Sequence, residues 1–165
     1  NKYHNKKGDI MSAASNYLEN ELLDHVLGEG ARDFTPPTLY VALFTGPASD
    51  VSAALESGTM ANTAGNWGNF EVNTGSYVRQ SINFAAASSG QAASNTTVTF
   101  PQATANYDNP AGSGSTVTYV AIIDQVDDGS TTANVLFYGA LTNSKQILSG
   151  DTMSIASGSL TVSLA

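Results

Sequence analysis

Cysteine is absent from the 165 residues, which excludes a disulfide framework and thiolate chemistry. Basic charge is nearly absent too. Lysine and arginine number 6 against 14 aspartates and glutamates, for a net charge of −8. Lys2, Lys6 and Lys7 crowd the first positions and leave only Arg32, Arg79 and Lys145 for the rest of the chain. Nucleic-acid binding requires a basic footprint to neutralise phosphates, and the body of the chain has none. Attraction to anionic lipid fails for the same reason. No apolar run approaches the ~18 residues that a membrane-spanning helix needs. The basic start has no hydrophobic stretch behind it, so it is not expected to act as a secretion signal. Charge of either sign is scarce: 12% of residues are charged, about half the usual ~25%. Ser, Thr, Asn and Gly supply the polarity instead, a mixture suited to short strands, tight turns and a neutral surface.

Metal and catalytic motifs are missing as well. The two histidines are His4 and His25, and His25 has no second ligand one helical turn away. No HExxH, GxSxG, phosphate-binding loop or dinucleotide fingerprint occurs. Gly28-Glu29-Gly30 opens like a GxG but lacks the third glycine and a preceding strand. A glycan-cleaving enzyme would need paired carboxylates. Glu56, Glu71, Asp108, Asp124, Asp127 and Asp128 are the candidates, yet their spacing selects no pair, and acids in turns usually do turn chemistry. The reading is therefore no enzyme and no cofactor. "DQVDDG" brings Asp124, Asp127 and Asp128 near a glycine, a calcium candidate by ligand type; the Asp-Gly pair equally suits a hairpin turn. Asn95-Thr96-Thr97 matches a glycosylation sequon at the rate chance allows in an Asn-rich chain.

What is present is mostly β. Residues 1–14 are polar, basic and aperiodic. They read either as a flexible arm, with Lys2, Tyr3, Lys6 and Lys7 as interface candidates, or as a mistranslated leader. In the second reading Lys6-Lys7-Gly8-Asp9-Ile10 is a purine-rich ribosome-binding site read through before a start at Met11. A helix over 16–27 follows, capped by Asn16 with Glu19 as capping-box partner, and stopped by Gly28 or Gly30. Leu18, Leu22 and Val26, with Leu23 and Leu27, form its apolar stripe. A helix this short is marginal alone, so the stripe is expected to cover a sheet. Pro36-Pro37 forces extended backbone. "TLYVALF" is then a strand apolar enough to be buried on both faces. Residues 46–75 lose periodicity and read as a long loop. There Trp67 and Phe70 either fold back over the core or stay exposed as a contact.

Short strands follow in "SYVRQSINF", "NTTVTF", "TVTYVAIID", "NVLFYGAL", "KQIL", "DTMSIA" and "SLTVSL". Turn signals stand between them, with a hairpin at Asp128-Gly129. The expected fold is mainly β: an antiparallel sandwich or jelly roll over 15–165, one domain with one N-terminal helix. Arg79 is a solitary cation inside an apolar strand, and a buried partner such as Glu71 would fix register more than add stability.

Five stretches carry a resemblance: "SNYLENELLDHVLG", "FTPPTLYVALFTG", "EVNTGSYVRQSINFAAAS", "NTTVTFPQAT" and "LFYGALTNSKQILSGDTMSIASGSLTVSL". In order and spacing the chain resembles, from Ser15 to Leu164, a family of small tailed-phage virion structural proteins often labelled phage tail fibre protein. It departs from that pattern in a longer stretch between about Ala48 and Phe70, and in the residues ahead of Met11. The resemblance implies a non-enzymatic virion component whose partners are other capsid or tail proteins and copies of itself, as a homotrimer. The first reading is an oligomeric capsid decoration (cement) protein, its basic arm lying on an acidic capsid surface. The alternative is a tail-fibre or tail-tip component that attaches to host glycans through the Trp67 loop.

Overall fold

The computed structural model describes residues 13–27, 36–61, 70–109, 115–126 and 132–163. Strand β1 (Ala13–Ala14) leads into helix α1 (Asn16–Leu27), then β2 (Leu39–Thr45), helix α2 (Ala48–Glu56) and β3 (Thr59–Ala61). The short strands β4 (Gln80–Ile82), β5 (Gln91–Ala93) and β6 (Val98–Thr99) follow. The long β7 (Thr116–Ile123) and β8 (Thr132–Gln146) come next, then β9 (Ser154–Ile155) and β10 (Thr161–Ser163).

The main sheet runs β1-β8-β7-β2-β4, with β3 also on β8, and its pairings are antiparallel. Two short ribbons, β5–β10 and β6–β9, form separate two-stranded sheets. The fold is a mainly β sandwich. "NVLFYGAL" and "KQIL" are not two strands but the single β8, which bends through a register shift opposite Val117 and Tyr119.

The sequence pattern of β2 explains its place at the centre. Val41 and Leu43 enter one core, Ala42 and Phe44 the other, and all four are buried. Strand β7 repeats the arrangement, with Val117 and Val120 on one side and Ala121 and Ile123 on the other. Side chains alternate across a strand, so an almost continuous apolar run has to be covered twice.

Helix α2 covers one face. Its Val51 and Leu55, one turn apart, pack on Ala42, Phe44, Ala121, Ile123, Ala133 and Val135. Asp50 in the first turn suits the helix dipole. Gly58 ends it with φ 78°, and its N–H bonds to Leu55 O at 3.1 Å. A β-carbon at Gly58 would come within 2.6 Å of Tyr17 Cβ, so the end of α2 and the start of α1 touch where only glycine fits. The loop expected over 46–75 therefore contains both α2 and β3, and the molecule has two helices rather than one. Only two strong apolar anchors and a proline mark α2 in the sequence, too little periodicity for the helical pattern to stand out.

The opposite face is covered by the two ribbons and by loops. Tyr77, Phe100 and Tyr107 form its aromatic centre. Tyr77 stacks on Phe100 with centroids 5.9 Å apart and meets Tyr107 edge-on at 5.7 Å. Val98, Ile147, Met153, Ile155 and Leu160 fill the space around them.

The cap of α1 also differs from the expectation. Ser15, not Asn16, is the N-cap: its Oγ accepts the Leu18 N–H at 3.3 Å and donates to Val135 O on β8. Ser15 is fully buried, so one hydroxyl both starts the helix and fastens it to the sheet. Of the apolar stripe, only Leu18 is buried; Leu22 is half-buried, and Val26 is exposed. The stripe covers β8 at its first turn and then leaves the body.

Candidate functional site

A fully enclosed polar network sits at the β2 edge of the sheet. The Arg79 guanidinium donates from Nε to Glu71 Oε1 and from Nη2 to Glu71 Oε2, both at 2.8 Å. Tyr77 OH donates to Glu71 Oε1 at 2.9 Å and accepts the Leu43 N–H at 3.0 Å. Arg79 Nη1 reaches Gln125 O at 3.2 Å, and Asn109 Nδ2 donates to Glu71 O at 2.7 Å. Glu71 is 2% exposed and Arg79 5%. The reason lies in the sheet. Glu71 bridges Phe44, while β4 begins its pairing only at Val41. The Leu43 N–H falls in the gap, and the Tyr77 hydroxyl completes what a strand would have supplied. Burial, followed by the Glu71 carboxylate, raises the Tyr77 pKa well above its ordinary value, so the phenol stays a donor. With both carboxylate oxygens taken and the side chain buried, Glu71 is spent on structure.

The alternation that builds this network is inverted: Tyr77 and Arg79 point inward while Val78 between them is exposed. Arg79 stands out in the sequence as a solitary cation in an apolar strand, and Glu71 is the candidate partner that the structure places beside it. Tyr77 and Asn109 carried no comparable signal.

Three further acids among the described residues are engaged locally. Asp124 accepts from Asn134 N and from Asn134 Nδ2, both at 2.7 Å, and so ties the ends of β7 and β8. Asp127 and Asp128, the other calcium candidates, lie outside the described residues. Asp108 Oδ1 accepts the Asn109 N–H at 2.7 Å. Glu56 at the end of α2 accepts the Tyr138 hydroxyl of β8. Burial is the first cause of the raised Tyr138 pKa, and the bond to Glu56 the second. Among the described residues no group of three or more His, Cys, Asp or Glu side chains could hold a metal ion. No helix among them is long and apolar enough to cross a membrane.

Of the interface candidates, Lys2, Tyr3, Lys6, Lys7 and Trp67 lie outside the described residues. Phe70 is half-buried and packs on the core beneath α2, and a β-carbon at Gly46 would come within 2.9 Å of its ring. For Phe70, folding back over the core is what the structure displays.

Among the described residues two open apolar surfaces stand out, and periodicity pointed to only one of them. On the ribbon face a groove of about 320 Å³ lies between the main sheet and β5–β10, lined by Leu39, Phe84, Ala92, Ile122, Phe137 and Val162. On the α1 stripe Leu23, Val26 and Leu27 are 56%, 72% and 69% exposed. The groove was hidden because its lining comes from distant strands that only the fold assembles. A third, wide polar hollow is lined by Thr74, Thr104, Asn106, Asp108 and Ser149.

The site is thus a β sheet covered on both faces, with Glu56, Glu71, Asp108 and Asp124 hydrogen-bonded to neighbouring groups and with an apolar groove and a polar hollow open at the surface. Comparison with known families gives the class. The chain belongs to the family described as Podophage GP4 fiber I protein gp80, whose profile matches residues 13–163. It is thus a phage fibre-type protein and a component of the virion. A search of the curated proteins finds none that matches.

Proposed function

We propose that this chain is a non-enzymatic structural component of a podophage tail fibre, assembled with copies of itself and with other tail proteins. The observation that carries the reading is the fibre family's match across residues 13–163. That description favours the tail-fibre alternative over the capsid decoration role read first from the sequence. The chemistry of the body agrees. Glu71 is locked in an ion pair, Asp124 holds Asn134 of the neighbouring strand, and Glu56 holds the Tyr138 hydroxyl. None of these is a free carboxylate facing a second one across a cleft, as glycoside hydrolysis would require.

Immunogold labelling of intact particles, with a copy number from the same preparation, tests the reading. Label at the tail in few copies per particle is the expected outcome. Label over the head at hundreds of copies would return the protein to capsid decoration.

A further inference from the structure

The two open apolar surfaces are built by different elements of the molecule. Helix α1 sits by β8 next to the end of α2. The groove lies on the ribbon side, where Phe137 and Ile122 meet Val162. We propose that Leu23, Val26 and Leu27 of one copy seat in the groove of the next, so that copies join head to tail.

Each surface supplies what the other lacks. The helix offers three aliphatic side chains more than half exposed. The groove offers a walled apolar space of about 320 Å³, room for more than one such side chain. The groove lining contains no charged residue. Glu19, Glu21 and Asp24 of the helix would therefore meet no like charge there, whereas a helix paired with its own copy would bring these acids together in a chain of net charge −8. The contact would cover on the order of a few hundred Å², below the ~800 Å² per partner of a standard interface. A single contact is therefore weak, and many copies held close together reinforce it. A contact between two different surfaces of identical copies closes into a ring if the rotation allows it and otherwise continues as a filament. The association rests on the two surfaces alone; that it builds a fibre rests on the reading above.

Two substitutions at exposed positions separate the surfaces without touching a core: Leu27→Asp on the helix and Ala87→Asp at the groove. Sedimentation velocity of the full chain up to ~1 mM is the readout, with circular dichroism as a check of folding. The unaltered protein is expected to associate as concentration rises, and each variant alone to weaken association at least tenfold. An equimolar mixture of the two variants retains one intact helix and one intact groove per pair, so it should form dimers and nothing larger. If Ala87→Asp associates as well as the unaltered chain, the helices pair with each other and the proposal fails. A chain that stays monomeric throughout also overturns it, and assigns the groove to a different virion protein. Gold label off the tail would remove the fibre role while leaving the association standing.

Discussion

The two faces of the main sheet solve one problem in different ways. Under α2 the sheet is surfaced with Ala42, Ala121 and Ala133. These small side chains let a helix lie close, and Val51 and Leu55 fill the remaining space. One element, anchored at two positions, makes an apolar contact. The opposite face is covered piecemeal. Ribbons β5–β10 and β6–β9 pair over three and two residues respectively, so neither can span the sheet. Aromatic rings, a buried ion pair and loop backbone fill the rest, and a groove is left over. A continuous helix closes a face, whereas short strands leave seams, and seams are where polar networks and binding surfaces collect.

The difference can be broken most severely at the polar seam. Arg79→Met would leave Glu71 charged, 2% exposed and without its cation. Removing one partner of a buried pair typically costs about 3–5 kcal/mol, and chemical denaturation should register a loss of that size. Substituting both partners by apolar residues of similar volume should recover much of it, because the pair fixes the β2 edge more than it stabilises the fold. A double variant as unstable as the single one would contradict that account. On the face under α2 the corresponding change is Leu55→Ala, at a fully buried position. A cavity under a two-anchor helix should cost about 3 kcal/mol, measured the same way, with α2 losing amide-exchange protection before the strands do.

Alkaline pH should weaken both faces, because Tyr138 on the α2 side and Tyr77 on the ribbon side both hold their protons above the ordinary tyrosine range, and Tyr77 can be tested by itself. The Tyr77 pKa is raised above 10.0 by burial and by Glu71. The folded chain therefore holds this proton after the unfolded chain has released it. Stability owed to Tyr77 is complete below about pH 10 and falls as pH rises toward the folded value, by about 1.4 kcal/mol per pH unit. Tyr77→Phe should lower stability at pH 8, since the Leu43 N–H and Glu71 each lose a partner. It should also flatten the fall above pH 10. An unchanged slope in the variant would show that other groups govern the alkaline limb.

How much of this was legible beforehand follows the same division. Strand β2 announced its two-sided burial because its apolar run admits no other placement. The start of α1 could be read to within a residue because the leucine spacing begins there, whereas Gly28 and Gly30, expected to stop it, lie outside the described residues. Helix α2 was missed because Val51 and Leu55 alone carry its pattern. Arg79 could be singled out, since a lone cation in an apolar strand demands a partner. Tyr77, whose hydroxyl fills a vacancy in the sheet, could not, because the vacancy exists only once Glu71 and β4 are placed. The groove was illegible for the same reason: Phe84, Phe137 and Val162 are far apart in sequence, and nothing local unites them.

The smallest expected effect concerns α1, where the two kinds of coverage meet in one element. Leu18 is 3% exposed under the helix, whereas Val26, two turns on, is 72% exposed. A stripe that looks uniform in sequence is thus divided between core and surface. Val26→Ala removes little that is buried within the molecule, so its unfolding free energy should stay within about 0.5 kcal/mol of the unaltered chain. Leu18→Ala should cost about 2–4 kcal/mol. If Val26→Ala proves nearly as costly, the helix is held along its whole length by its own chain, and its outer half has no contact to offer a neighbour. If it is silent in dilute solution but weakens association at high concentration, the exposed half of α1 serves contact between copies, not folding.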